Sequence, residues 1–166
     1  MTAHRKSEQT IDLDAELTDV WRMLTDPDAL TGWLGREVDL DLRPGGTGVV
    51  VDPDGSSRDV LVTDVDEPRR IAWHWWHERG HLSSVEITVV PTSTGTRVRV
   101  VEVLDPSTIA PRPAARAGTR AGTRAGATAG GRPMALDMAA TVADGWTARL
   151  DRLRVMATSG SLSLVR

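Results

Sequence analysis

Residues 71–104 read IAWHWWHERGHLSSVEITVVPTSTGTRVRVVEVL, and three parts of this stretch are rich in tryptophan and β-branched residues. Such residues favour the pleated, half-buried surface of a strand. Val85, Ile87 and Val89 alternate with polar neighbours, as expected of a strand with one buried face. Short polar connections at 78–80 and 91–96 favour antiparallel neighbours. The stretch therefore predicts three consecutive antiparallel strands, at 71–77, 82–90 and 97–104.

The residues before this stretch predict further strands and two short helices. Strand patterns, separated by turns that contain glycine and proline, occur at 9–14, 38–42, 49–51 and 60–65. Apolar residues at the spacing of an amphipathic helix are Leu17, Val20, Trp21 and Leu24. This helix ends at Asp26, because the residue before a proline avoids the helical conformation. Pro27 then begins a second short helix that closes at Gly35.

A long helix is predicted from about Met134 to about Thr158. Its apolar stripe consists of Met138, Val142, Trp146, Leu150 and Leu153. Arg149 lies in the second half, where a positive charge suits the helix dipole. Gly145 is either a mild defect in this helix or a place where another element approaches closely. A helix of about 35 Å can cross a whole sheet, so the predicted fold class is α+β, with the helix on one face of a curved antiparallel sheet and a pocket between them.

The segment 106–133 differs in composition from the rest of the chain. It contains five arginines and no acidic residue, and its centre repeats Arg-Ala-Gly-Thr. A stretch with so few large apolar residues cannot offset the entropy lost on ordering. We therefore interpret it as a flexible insertion in a single domain that spans residues 1–166.

Composition and charge exclude several classes of protein. The chain of 166 residues has no cysteine, which excludes disulfides and thiolate metal sites, and no long apolar run that could span a membrane. Its polar start predicts no secretory signal, so we expect a cytoplasmic protein. Removing the five charges of the insertion from the net charge of −3 leaves −8. A body this acidic does not suit nucleic-acid binding.

Several segments together resemble the SRPBCC superfamily, also called the START or birch-pollen-allergen (helix-grip) fold. Within it, the chain is most similar to the branch related to the C-terminal domain of the activator of the heat-shock-protein-90 ATPase. The segments that carry the resemblance are Val20-Trp21 with Gly32-Trp33-Leu34, Arg43-Pro44-Gly45-Gly46, Glu67-Pro68-Arg69-Arg70-Ile71, Thr94-Gly95-Thr96-Arg97-Val98 and Gly145-Trp146 with Leu150-Asp151-Arg152-Leu153. The resemblance implies a curved antiparallel sheet of six to seven strands around a long C-terminal helix, with two short helices after the first strand. It implies no particular reaction, because the superfamily holds carriers, receptors, cyclases and co-chaperones.

Alternation indicates which side chains line the expected pocket. Ile71, Trp73, Trp75 and His77 share one face of a strand. The six tryptophans stand in a chain without phenylalanine or tyrosine, so each could equally be ordinary core filler. Glu102 shares the inward face of its strand with Val98 and Val100. A carboxylate among apolar residues needs a partner or a raised pKa.

We expect the pocket to bind a small apolar or aromatic molecule. Its predicted lining is Trp33, Trp73, Trp75, Met138, Val142 and Trp146, with Glu102 and His77 as polar contacts. No metal site or cofactor is expected, because His74, His77 and His81 have no carboxylate pair beside them.

Two alternatives stay open. One is an enzyme resembling polyketide cyclases and dehydratases, in which Glu102 and His77 form an acid–base pair. The other is a protein-interaction module, as a homodimer or with a chaperone partner. An exposed apolar patch around Trp76 would favour the second alternative.

Overall fold

The computed structural model describes residues 5–77, 80–109 and 138–161. The elements follow one another as β1 (Arg5–Leu13), α1 (Leu17–Thr25), α2 (Pro27–Trp33), β2 (Glu37–Leu40), β3 (Thr47–Val51), β4 (Ser57–Asp66), β5 (Arg70–His77), β6 (His81–Pro91), β7 (Thr96–Ile109) and α3 (Met138–Ser161). The described chain thus has one strand, two short helices, six further strands and a long helix. The sequence predicts the same order of elements.

The strands form one antiparallel sheet in the order β1-β7-β6-β5-β4-β3-β2. Strands β2 to β7 are a meander, in which each strand pairs with the next along the chain. β1 instead pairs with β7, where Ile11 lies opposite Val98. The register of β4 on β5 shifts between Val62 and Asp64, and a bulge of this kind bends a sheet. The predicted α+β class and helix-grip architecture are confirmed.

β7 is longer than the sequence pattern predicts. It extends to Ile109, so residues 106–109, which we interpreted as the start of the insertion, continue the strand. The remaining part of the predicted insertion, 110–133, lies outside the described residues.

The boundary between the two short helices follows from one residue. The Asp26 carboxylate caps α2 by accepting the backbone N–H groups of Asp28 at 2.9 Å and Ala29 at 3.3 Å. Pro27 occupies the first turn, where its missing N–H costs no helical hydrogen bond. The predicted break at Asp26-Pro27 is therefore confirmed, and α2 places Trp33 in the core.

α3 packs against the inward face of the sheet. The contact uses the C-terminal part of the apolar stripe that the sequence predicts for this helix. Trp146, Leu150 and Leu153 are buried and belong to one apolar core with Ile87 and Val100 of the sheet. The described helix has 24 residues and is about 36 Å long. None of the described helices combines the length and the apolar character needed to cross a membrane.

The pairing of the edge strand β1 with β7 predicts a pH dependence of stability. Glu8 on β1 binds Arg99 at 2.7 Å and Lys6 at 3.0 Å, and these two partners, Arg99 first, lower its pKa from 4.5 to about 2. A carboxyl with a depressed pKa in the folded protein stabilises it above the unfolded pKa, and the contribution is lost as the pH falls through the folded pKa. We therefore expect the stability difference between wild type and Glu8→Gln to disappear between pH 4.5 and about 2.

Urea unfolding at a series of pH values measures this difference. It should be small and should shrink further in salt, because the ion pair is exposed. A difference that stays constant over the window would contradict the assignment.

Candidate functional site

Glu102 is a buried carboxylate between the sheet and α3. It is 2 % exposed, and it faces inward because it lies on the same face of β7 as the buried Val98 and Val100. The Trp75 indole Nε1 donates to its Oε1 at 2.8 Å, and the Trp146 indole Nε1 donates to its Oε2 at 2.6 Å. The predicted inward position and the need for a partner are both confirmed, and the partners are two indoles.

Three indoles form a continuous row inside the protein. The rings of Trp75 on β5 and Trp146 on α3 are stacked, with centroids 5.4 Å apart. Trp73 meets Trp75 edge to face at 6.0 Å. We call Trp73, Trp75 and Trp146 the tryptophan row. Because Glu102 binds the two stacked members, it joins the sheet to the helix.

Arg149 is a buried cation beside this row. It and Asp52 are each 6 % exposed and form an ion pair, and the Arg149 Nε donates to the Leu34 carbonyl at 2.8 Å. Its guanidinium also lies 5.4 Å from the Trp146 ring and 5.2 Å from the Trp75 ring. Burial, followed by repulsion from Arg58, lowers the pKa of Arg149. Arg149, noted in the sequence only for its place in the second half of the helix, is therefore also a member of a buried ion pair.

Arg58 completes the arrangement on the side nearer to solvent. Its Nε donates to the second carboxylate oxygen of Asp52 at 2.9 Å, and its guanidinium lies over Trp75 at 4.4 Å. The side chain of Arg58 is 20 % exposed. We define the polar cluster as Asp52, Arg58, Trp75, Glu102, Trp146 and Arg149. Its two carboxylates and two guanidiniums are formally balanced in charge.

Gly145 has a role in this cluster that helical spacing explains. It lies one turn before Arg149, and a Cβ at position 145 would be 3.0 Å from the Arg149 Nη1. The glycine therefore leaves room for a side chain of its own helix. The sequence left two interpretations of Gly145 open, a mild helix defect and a place of close approach. The structure agrees with close approach, although the group that approaches belongs to α3 itself and not to another element.

Alanine at position 145 is expected to lower stability. Alanine gains about 1 kcal/mol of helix propensity over glycine, but its Cβ crowds a guanidinium that Asp52 and Leu34 hold in place. We expect Gly145→Ala to reduce the free energy of unfolding by about 1 kcal/mol. In an Arg149→Met background the same substitution should raise it, and urea denaturation of the four proteins measures both changes. A gain in the wild-type background would contradict the crowding.

The remaining predicted site residues are only partly brought together. Trp33 lies in the same apolar core, but its Nε1 donates to the Met23 carbonyl at 2.9 Å. The side chains of Met138 and Val142 lie outside the described part of the chain, although both residues belong to α3.

His77 is separated from Glu102. Its Nδ1 is 3.0 Å from the Ser57 carbonyl near the end of β5. Across the sheet, Glu102 on β7 lies opposite Val85 on β6, and Val85 lies opposite Trp73 on β5. Trp73 precedes His77 by four residues along β5. Four residues of strand span about 13 Å, so the structure does not form the predicted acid–base pair.

Trp76 does not create an exposed apolar patch. It is 8 % exposed, and it alternates with the inward-facing Trp75. The large apolar side chains that are exposed in the described part of the chain are Val90 and Val155. The surface feature that would favour an interaction module is therefore not found around Trp76.

A wide groove of about 1160 Å³ lies elsewhere, between α1, the β6–β7 turn and the second half of α3. Its lining includes Asp14, Glu16 and Asp19, which are exposed, and Ala157 is its one buried member among the described residues. It shares no residue with the polar cluster. The cluster, with its buried charges, is the stronger candidate for a site.

Sequence reasoning missed Asp52, Arg58 and Arg149. The Asp52-Pro53-Asp54-Gly55 segment predicts a turn, and nothing in that pattern indicates that the Asp52 carboxylate is buried. Arg149 follows Trp146 by three residues, so helical spacing alone places it near the buried stripe. Gly145, one turn earlier, was the second available signal.

Solved structures share this fold at low sequence identity. DynU16, a protein of the dynemicin biosynthetic locus, superposes with a TM-score of 0.70 and 20% identity over 94% of this chain and 48% of its own. MLL2253 from Mesorhizobium loti has a TM-score of 0.70 and 19% identity over 93% of this chain and 98% of its own. CalU16 from Micromonospora echinospora has a TM-score of 0.62 and 21% identity over 96% of this chain and 79% of its own. The chain thus spans about half the length of DynU16. These similarities show the fold.

Comparison of the sequence with curated proteins gives no match. A family model does match, over residues 14–158, and it is described as "Activator of Hsp90 ATPase homolog 1-like protein". The matched region includes both short helices, β2 to β7 and nearly all of α3. The chain therefore belongs to the activator of Hsp90 ATPase homolog 1-like family of the SRPBCC superfamily.

Proposed function

We propose that this protein binds a small hydrophobic molecule, preferably an aromatic one, between the sheet and α3 against the tryptophan row. The observation that carries the proposal is the buried Glu102 carboxylate, held by one indole of the sheet and one of the helix. A core that served stability alone would be at least as stable with apolar residues in place of buried ions. Buried charges that converge on one place are typical of binding and catalytic sites.

The chemistry of the polar cluster favours an aromatic ligand over an aliphatic one. Indole rings present flat apolar faces, which pair with other rings by stacking or edge contacts. The guanidiniums of Arg58 and Arg149 already lie over Trp75, and such groups also stack on the faces of ligand rings. Arg58, the more exposed of the two, marks the side from which a ligand would approach.

The comparisons support this class of function without naming the ligand. DynU16 is associated with a biosynthetic locus for dynemicin, and the superfamily includes proteins that bind small hydrophobic molecules. An enzymatic role is less well supported, because Glu102 and His77 do not meet. A chaperone-related role rests on the family description, and Trp76 offers no exposed surface for it.

Tryptophan fluorescence tests the proposal directly, since the chain has six tryptophans and no tyrosine. The protein would be titrated with a flavonoid, a polyketide-like anthraquinone and a fatty acid, with calorimetry to fix the stoichiometry. We expect a saturable change at one site, strongest for the two aromatic compounds. The melting temperature should rise with ligand, because binding to the folded state alone stabilises it.

Two variants locate the binding site. Trp146→Phe removes one member of the tryptophan row and should weaken binding about tenfold, equivalent to about 1.4 kcal/mol. Trp21→Phe changes a buried tryptophan of α1 outside the row and should leave affinity within about twofold. A flat response to all three compound classes would overturn the proposal, and equal weakening by both variants would place the site elsewhere.

A further inference from the structure

The tryptophan row contains a buried hydrogen-bond donor that the protein itself leaves unused. The indole N–H groups of Trp75 and Trp146 both donate to Glu102. Trp73 is 2 % exposed, and its Nε1 has no hydrogen-bond partner within the described part of the chain. Trp33, equally buried, donates to the Met23 carbonyl. Among the described residues, Trp76 also has an unpaired Nε1, but it is not part of the tryptophan row, so Trp73 is the member of that row whose N–H is unpaired.

An unpaired buried donor is unfavourable, and native proteins satisfy nearly all of them. The acceptors around the polar cluster are already engaged. Each oxygen of Glu102 accepts from an indole, and each oxygen of Asp52 accepts from an arginine. The Leu34 carbonyl accepts from Arg149. Each of these acceptors thus has at least one donor, whereas the Trp73 N–H has no acceptor within the described part of the chain.

We infer that the ligand presents a neutral acceptor oxygen to the Trp73 indole N–H, which makes it an aromatic ketone or quinone. This inference rests on the proposed binding function and names the chemical class of its ligand. A hydrocarbon of the same shape leaves the N–H unpaired, and an amine brings a further donor to it. The site therefore selects for a carbonyl at the end of the row that Trp73 occupies.

The position of Trp73 also argues against an anionic acceptor. Trp73 on β5 and Glu102 on β7 both lie opposite Val85 on the intervening strand β6. Their backbones are therefore two strand spacings apart, about 10 Å. The charges of the polar cluster are already balanced, so a second carboxylate would add an unpaired charge to a low-dielectric interior. Neutral carbonyl compounds satisfy the donor without adding a charge.

The pair 9-fluorenone and fluorene tests the inference, because the two molecules have the same ring skeleton and differ by one carbonyl oxygen. Calorimetric titration of wild type should give about tenfold tighter binding of the ketone, the effect of one hydrogen bond. In Trp73→Phe both compounds should bind more weakly, and the preference for the ketone should disappear. Trp33→Phe is the matched control, since it alters a buried indole whose N–H is already paired. It should keep the tenfold preference.

An infrared measurement on wild type gives an answer that does not depend on any variant folding. The carbonyl stretch of bound 9-fluorenone should lie at lower frequency than in a hydrocarbon solvent, because the oxygen accepts a hydrogen bond. An unshifted band, equal binding of the two compounds or a preference that survives in Trp73→Phe would each overturn the inference alone. If neither compound binds, and the flavonoid, the anthraquinone and the fatty acid also fail, the proposed function itself is wrong.

Discussion

Replacing Asp52 by alanine is expected to lower the free energy of unfolding by about 3–5 kcal/mol, the usual effect of removing one partner from a buried ion pair. Asp52 accepts from Arg149 through one oxygen and from Arg58 through the other. Without it, the buried Arg149 keeps only the Leu34 carbonyl and the ring faces, and two guanidiniums repel one another. For a chain of this size the loss corresponds to a fall in melting temperature of about 10 °C. Urea and thermal denaturation measure both quantities.

Asp41→Ala is the matched control for this experiment. Asp41 also binds an arginine, Arg43, at 2.7 Å, but both side chains are exposed, so the change should cost no more than about 1 kcal/mol. The double variant Asp52→Ala/Arg149→Met should recover part of the lost stability, because no unpaired buried charge remains. Similar losses for Asp52→Ala and Asp41→Ala would show that the buried network does not stabilise the fold.

Exchanging Glu102 for glutamine is expected to cost about 2–3 kcal/mol, although the side chain keeps its size and shape. The carboxylate accepts from two indoles, one at each oxygen. A glutamine amide offers one oxygen, and its NH₂ group confronts the second indole N–H, donor against donor. The substitution should therefore destabilise the protein by leaving one indole of the tryptophan row unpaired.

Glu86→Gln is the comparison for Glu102→Gln. Glu86 lies on the neighbouring strand β6 and binds Arg70 at 2.9 Å on the exposed face of the sheet. Its loss should change stability by less than about 1 kcal/mol. Denaturation curves followed by tryptophan emission would also report the altered environment of Trp75 and Trp146. If Glu102→Gln were as harmless as Glu86→Gln, the two indole hydrogen bonds would contribute little.

Local patterns in the sequence predict most of the fold and the inward face of the site. Two-residue alternation places Trp73, Trp75 and Glu102 on the buried side of their strands, and three- and four-residue spacing places Trp146 on the buried stripe of α3. Both periodicities are properties of a single element, so they can be read without knowing its neighbours. The break between α1 and α2 is equally local, because Asp26 and Pro27 supply it together.

The partners of the buried charges could not be predicted in the same way. Asp52 and Arg149 are 97 residues apart, and their pairing depends on where α3 crosses the sheet. His77 shows a related limit, since alternation within one strand says nothing about its distance from Glu102 along the sheet. β7 continued past residue 105 because strand pairing with β6 overrides the low local preference of that segment.

The pairing of the first strand with the last one has a consequence for how the chain reaches its native state. Asp12 and Arg97 pair across 85 residues of sequence, and Arg149 reaches the Leu34 carbonyl across 115. Contacts this distant form only after large loops have closed, so this topology folds in milliseconds to seconds, more slowly than a helical bundle. At a translation rate of about 5–20 residues per second, Arg149 is synthesised on the order of ten seconds after Leu34. A chain interrupted before α3 would expose the inner face of a nearly finished sheet, so incomplete products should aggregate or be degraded instead of retaining partial function.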